Sequence, residues 1–250
     1  MIDLHTHLLP GVDDGADSLE AFEAMLEEAR RTGITRIAAS SHYSRSAAEA
    51  YRDLFASSAE RAKKAGIELL PAMEYDFDRL REIAEEQPLR TIGNSCFLLV
   101  DLHHNYLPSG WKEFFFRLKL KGYRILAAHP ERLFRADGRE IGELAAAGVS
   151  FQLNAGSLLG KYGGKVRNTA FRLIAAGNCH VFGSDAHRTG DFRMGEVRDL
   201  LRERFGSRLT EGWFEINPER ILAGREPLTF RPPPGWLERL RCWIDRRLGR

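Results

Sequence analysis

Residues 123–187 read YRILAAHPERLFRADGREIGELAAAGVSFQLNAGSLLGKYGGKVRNTAFRLIAAGNCHVFGSDAH, and this stretch decides the fold. The apolar run Tyr123–Ala128 predicts a strand that ends at His129, and the amphipathic run Arg139–Ala147 predicts a helix that stops at Gly148. Val149–Leu153 is the next strand, Val166–Ala176 the next helix, stopped by Gly177, and His180–Gly183 a third strand running into Asp185 and His187. Strands joined through helices pair in parallel, because a parallel partner needs a long crossover. The same unit extends outward in both directions. Ile2–His5 is a strand, and Asp17-Ser18-Leu19-Glu20 is a capping box opening a helix to about Arg31, with Gly33 as its stop. Ile34–Ser40, Ile67–Ala72 and Cys96–Leu102 read as strands, and Ala47–Ala65, Trp111–Lys121 and Phe192–Arg204 as helices. About seven such strands predict a single-domain α/β barrel, closed or nearly so. A doubly wound open sheet is the alternative, but the chain has no glycine-rich dinucleotide fingerprint and no phosphate-binding P-loop.

The chain is long enough for one sizeable core, at 250 residues with 43% hydrophobic content. A net charge of +2 lacks the basic footprint of a nucleic-acid binder. The longest apolar runs, such as Cys96–Val100, are too short to span a bilayer, and no signal peptide is read, so the expected location is cytoplasmic. Cys96, Cys179 and Cys242 do not form a disulfide framework. None of them has an arginine six positions on, which excludes a cysteine-dependent phosphatase loop. The tail differs in character: Arg231–Arg250 holds six arginines against Glu238 and Asp245. After Pro232-Pro233-Pro234, the residues Trp236, Leu237, Leu240, Trp243, Ile244 and Leu248 fall on one helical face. Residues 225–250 are therefore read as a linker and a basic amphipathic helix, suited to a membrane surface, to a partner protein, or to packing on the barrel.

Histidines and acids fall at the strand ends. His5 and His7 close the first strand, and their i, i+2 spacing turns both imidazoles to one side. His42 follows the second strand, Glu74 the third, Asp101 the fourth, His129 the fifth, and Asp185 with His187 the seventh. Asp13 and Asp14 lie in the first βα loop. In parallel α/β barrels the C-terminal strand ends converge on one mouth. Five of the eight histidines stand in this register, together with four acids, counting Asp14. Clustered carboxylates repel and buried imidazoles need partners; divalent cations resolve both. Imidazole and carboxylate donors without thiolate suit Mn, Fe or Zn, and nine donors suggest two or three ions. Paired metals suit phosphoester cleavage, activating water and clamping attacking and leaving oxygens. Arg132, three residues past His129, and Arg193, six past His187, are candidate phosphate clamps. With Asp14 they are the candidate catalytic residues.

The segment Ile2-Asp3-Leu4-His5-Thr6-His7-Leu8-Leu9-Pro10-Gly11-Val12-Asp13-Asp14-Gly15 resembles the opening of the capsular and exopolysaccharide protein-tyrosine phosphatases of the polymerase and histidinol phosphatase (PHP) superfamily. Further matches are Ser41-His42, Glu74, Ala128-His129-Pro130-Glu131-Arg132, Gly183-Ser184-Asp185-Ala186-His187 and Asn217-Pro218-Glu219-Arg220-Ile221-Leu222. The resemblance covers roughly residues 1–224. It implies a distorted (β/α)7 PHP-type barrel with a three-metal site, manganese being the first expectation. By position it assigns His5, His7, Glu74 and Asp185 to one metal, Glu74, Asp101 and His129 to a second, and Asp14, His42 and His187 to a third. It implies that Arg132, and less directly Arg193, bind phosphate. The implied substrate is phosphotyrosine on the tail of a bacterial tyrosine kinase that controls polysaccharide assembly, attacked directly by metal-bound hydroxide. The basic tail lies outside the resemblance; its own expected role is to bring the enzyme near a membrane-bound kinase. Two features depart from the family: Asp101 stands where the family usually has glutamate, and His103 and His104 add imidazoles beside it.

Three rival readings stay open on sequence. A PHP phosphoesterase for a small molecule, histidinol phosphate or a nucleotide, would use nearly the same ligands. An amidohydrolase barrel also opens with His-x-His but needs a mid-barrel lysine, and none stands at the end of the fourth strand. A non-catalytic metal-binding regulatory module would be expected to have lost ligands, whereas all nine positions hold residues able to ligate.

Overall fold

A computed structural model describes residues 1–102, 107–133 and 138–233. Eight strands alternate with helices: β1 (Ile2–Thr6), β2 (Arg36–Ala39), β3 (Glu68–Pro71), β4 (Glu74–Asp76), β5 (Phe97–Asp101), β6 (Arg124–Ala128), β7 (Ser150–Asn154) and β8 (Val181–Gly183). The helices are α1 (Leu19–Arg31), α2 (Arg45–Lys64), α3 (Phe77–Ile83), α4 (Trp111–Leu120), α5 (Gly138–Ala146), α6 (Ala155–Leu158), α7 (Gly163–Ala176), α8 (Met194–Phe205), α9 (Ser207–Glu211) and α10 (Asn217–Leu222). Ser18 caps α1 by accepting the Ala21 N–H at 3.1 Å, one residue later than the Asp17–Glu20 capping box places the cap.

All the strand pairs are parallel, in two sheets of order β1-β2-β3 and β4-β5-β6-β7-β8. Two isolated parallel bridges, Thr6↔Ala186 and His42↔Glu74, join the sheets and close the distorted barrel. The predicted strand Ile67–Ala72 is β3, and a further strand not expected from the sequence follows it. Pro71 ends β3, Ala72-Met73 interrupts pairing, and Glu74, expected in the loop after the third strand, opens β4 in the second sheet. Proline removes one ladder donor, which favours a break there.

The barrel interior is packed by Ile2, Leu4, Ala38, Leu70, Phe97, Leu99, Leu126, Ala128 and Val181, with Ile92 and Ile221 in the same cluster. A larger apolar layer, including Phe22, Tyr51, Phe77, Phe151, Phe182 and Trp213, lies between strands and helices. Asn217 is buried and stitches the chain together. Its amide donates to the carbonyls of His180 and Leu228, both at 2.8 Å, and its oxygen accepts the Leu228 N–H at 2.7 Å. The Asn-Pro-Glu-Arg motif is thus a structural clasp. Cys96 and Cys179 are free thiols. No helix among the described residues is long and apolar enough to cross a membrane. His103, His104 and the amphipathic run after Pro233 lie outside the described residues.

Candidate metal centre

Strand alternation alone would misplace two of the key histidines. Ile2 and Leu4 face the interior, so strict alternation would turn His5 and His7 toward the helices. The register shifts between Asp3 and Thr6: three residue steps on β1 match two on β2, from Ile37 to Ala39. This bulge resets the phase and brings both imidazoles to the mouth. Likewise Leu126 and Ala128 point inward, and His129 takes a left-handed backbone (φ 31°) to follow them. Asp185 is also left-handed, at φ 52°. Such conformations in non-glycine residues are costly and cluster at functional sites.

Glu74 is the hub. Its Oε2 lies 3.3 Å from His5 Nε2, 3.3 Å from His7 Nε2 and 2.9 Å from His42 Nδ1. Its Oε1 lies 3.4 Å from His129 Nε2. Asp185 Oδ1 stands 3.4 Å from both His5 Nε2 and His7 Nε2, and Asp14 Oδ1 stands 3.6 Å from His42 Nε2 and 3.4 Å from His187 Nε2. Four groups have donor atoms within 4.8 Å of one another: His5/His7/Glu74, Glu74/Asp101/His129, His7/Asp14/His42/His187 and His5/His129/Asp185. All nine sequence-predicted ligands therefore converge.

The donor chemistry fits cations. Gln152 Oε1, which can only accept, sits 2.8 Å from His5 Nδ1, and Asp13 Oδ2 sits 2.7 Å from His7 Nδ1. Both Nδ1 atoms therefore carry the proton, and both Nε2 atoms, 3.2 Å apart, turn lone pairs toward carboxylate oxygens. Both Glu74 oxygens are buried and face imidazole nitrogens. Burial alone would raise the Glu74 carboxyl, but His5, His129 and His42 hold it well below the usual range. Burial would lower His5, yet Glu74 and Asp185 outweigh it and push His5 up to about 8. The pocket demands positive charge and draws in protons where no cation supplies it.

Around these atoms lies a shell that sequence reading passed over. Asp13, read only as lying within reach of the mouth, orients His7 and also accepts the His42 N–H at 2.8 Å. Asn154 Nδ2 donates to Asp185 Oδ2 at 3.1 Å. The alternation Ser150-Phe151-Gln152-Leu153-Asn154 was the available signal: its polar members share the interior face while Phe151 and Leu153 pack against helices. Arg132 is mostly buried; its guanidinium pairs with Asp185 Oδ2 and stacks over Tyr162, 4.0 Å from the ring centroid, and its Nε has no acceptor. Arg193 is placed differently. It is half exposed on the surface, and its guanidinium is taken up by Glu196, with Nε donating at 2.6 Å.

A parallel α/β barrel with a buried cluster of candidate cation ligands at its C-terminal mouth defines the class of this protein. The family model for capsular polysaccharide synthesis, CpsB/CapC, matches residues 1–223, and the chain belongs to this family. It is 33% identical over 251 residues to the tyrosine-protein phosphatase YwqE of Bacillus subtilis, covering 94% of this chain and 95% of that protein. A solved structure from the study of Bacillus subtilis YwqE and Streptococcus pneumoniae CpsB, described as metal-dependent tyrosine phosphatases, superposes with a TM-score of 0.81. It is 27% identical, with 94% of this chain and 99% of that one covered. An amidohydrolase from Mycoplasma synoviae shares the fold alone, at a TM-score of 0.56 and 12% identity over 100% of this chain and 94% of that one.

Proposed function

We propose that this chain is a metal-dependent protein-tyrosine phosphatase that removes phosphate from a tyrosine kinase governing capsule or exopolysaccharide synthesis. One observation carries the reading. The cluster gathers nine candidate ligands, Glu74 at their centre with two buried oxygens faced by imidazole nitrogens, and the mostly buried guanidinium of Arg132 at the edge. Family membership and the names of its relatives support the choice of substrate.

His5, His7, Glu74 and Asp185 would hold one cation, Glu74, Asp101 and His129 a second, and Asp14, His42 and His187 a third, with manganese ahead of iron and zinc. Bound divalent cations would lower the pKa of a water and neutralise charge building on the phosphoryl oxygens. Asp13 and Gln152 keep the imidazoles of His7 and His5 in the tautomer that presents Nε2. Arg132 has a free Nε–H beside the cluster; there it would hold a phosphoryl oxygen while its Nη2 stays on Asp185. Tyr162 supports that guanidinium from below. Arg193 would join only by leaving Glu196.

The test is a phosphatase assay on metal-reconstituted protein, comparing a phosphotyrosyl peptide with histidinol phosphate at equal concentration. Preference for the peptide, loss of turnover in His5→Ala and a raised KM in Arg132→Ala are expected. Preference for histidinol phosphate would move the assignment to a small-molecule phosphoesterase.

A further inference from the structure

Beside the cluster the rim carries a polar depression of about 430 Å³ that the chemistry above leaves unused. Its lining sets three arginines, Arg45, Arg52 and Arg90, against two carboxylates, Glu49 and Glu86, beside Tyr43, Tyr75 and Gln87. Tyr43 follows His42 and Tyr75 follows Glu74, so its aromatic wall is one residue removed from two members of the cluster. The two rings lie 5.4 Å apart, the Tyr43 N–H donates to the Glu74 carbonyl at 2.8 Å, and Gln87 Nε2 donates to the Tyr43 hydroxyl at 2.7 Å.

Arg90 is the unusual member. Its guanidinium lies 4.3 Å from the centroid of the buried Tyr51 ring, and its backbone N–H donates to the Tyr75 hydroxyl at 2.8 Å. It is half-buried and rigidly held, yet among the described residues no carboxylate reaches it. Neighbouring arginines are compensated: Arg45 faces Glu86 at 3.7 Å and Arg52 faces Asp53 at 3.2 Å. A partly desolvated guanidinium with a free fork of donors matches a carboxylate or phosphate.

We propose that this depression is a subsite for an anionic side chain flanking the phosphotyrosine of the substrate, with Arg90 as its counter-ion. The proposal rests on the phosphatase reading. An extended peptide rises about 3.3 Å per residue, so an acidic residue or second phosphotyrosine two to four positions from the reacting one would lie about 7 to 13 Å from it. The stacked tyrosines offer a surface for the intervening peptide.

The experiment uses p-nitrophenyl phosphate and three phosphotyrosyl peptides, flanked two to four positions away by aspartate, by a second phosphotyrosine or by alanine. Arg90→Gln should raise KM about tenfold for whichever anionic peptide is the natural type. It should leave kcat, the alanine peptide and p-nitrophenyl phosphate unchanged. Gln87→Glu, in an exposed loop, should discriminate against the same peptides by repulsion even if Arg90→Gln folds poorly. Equal KM for anionic and alanine peptides in the wild type, or parallel losses on p-nitrophenyl phosphate, would overturn the subsite. Wild-type protein inactive on every substrate would instead defeat the phosphatase reading. Anisotropy of labelled unphosphorylated aspartate and alanine peptides, compared between wild type and Arg90→Gln, would then still decide whether the subsite binds anions.

Discussion

Tyr162 illustrates how a residue outside the donor set sets the behaviour of one beside it. Arg132 carries its charge into a mostly buried position, held between Asp185 and the face of the Tyr162 ring. A cation over an aromatic face contributes about 0.5–2 kcal/mol, more as it is desolvated. Tyr162→Ala should therefore free the guanidinium and raise KM for aryl phosphates by about 2- to 30-fold, with metal content unchanged. Tyr162→Phe keeps the ring and should stay near wild type. Equal losses in both variants would mean that the hydroxyl, 3.5 Å from Asn154 Nδ2, matters more than the ring. Glu74→Gln should behave differently from either. It keeps the shape of the hub but weakens the acceptor, and metal analysis should show lost ions along with at least a hundredfold fall in turnover. Every donor of this cluster was legible in sequence because strand ends in a parallel barrel share one mouth. Arg193 was less legible: its distance in sequence from His187 says nothing about Glu196 one helical turn away, which takes up its guanidinium.

At the scale of elements, two short features do the placing, and only one shows a sequence signal. Gly15 closes the Asp-Asp-Gly turn, where Ala16 N–H donates to the His7 carbonyl at 3.0 Å. A Cβ at this glycine would sit 1.7 Å from the His7 carbonyl oxygen, so no side chain fits without moving His7. Gly15→Ala should lower both metal content and melting temperature, measured on the same preparation; a fully loaded, active variant would show that the turn relaxes. The bulge in β1 left no mark in the sequence, because an extra residue in a ladder is visible only against its partner strand. The separate strand β4 was hidden for a related reason. Ile67–Ala72 reads as one apolar run, and Glu74 then pairs with Leu99 across a different sheet. The first residue before β8 supplies a pH handle remote from the metals. His180 Nδ1 accepts the Phe151 N–H at 2.9 Å, and burial lowers its pKa to about 4. It stays neutral when folded but binds a proton near pH 6.5 when unfolded. Its neutral state is thus fully tolerated above about pH 6.5, and stability falls as pH drops from there toward 4, by up to about 3 kcal/mol. Urea titrations across this window should show the loss, and a flatter profile in His180→Gln.

For the whole molecule, five of the candidate ligands, His5, His7, His42, Glu74 and Asp185, sit on the two seams where the sheets meet, so the fold and the site share their weakest points. Among the described residues, the single bridge Thr6↔Ala186 joins β1 to the segment after β8, and His42↔Glu74 joins the segment after β2 to β4. Backbone bonds at the seams are few: His7 N–H to Ala186 O at 2.9 Å, Asp185 N–H to His5 O at 2.9 Å, Tyr43 N–H to Glu74 O at 2.8 Å and Glu74 N–H to Ser41 O at 3.1 Å. Each of these bonds involves a candidate ligand or its immediate neighbour. Ions held by His5, His7 and Asp185 would tie the first seam, and ions held by His42 and Glu74 the second. Binding to the folded state alone stabilises by RT ln(1 + [L]/Kd), about 2.7 kcal/mol at a hundredfold excess over Kd. Chelation should therefore lower the melting temperature, and manganese should restore it. Hydrogen exchange gives the local form of the prediction. Peptides containing the amides of His7, Tyr43, Glu74 and Asp185 should exchange faster in chelated protein than in manganese-loaded protein. Amides inside the five-stranded sheet, such as those of Leu98 and Leu126, should change little. Uniform protection across both groups would mean that the ions stabilise the barrel as one cooperative unit and that its seams are no weaker than its sheets.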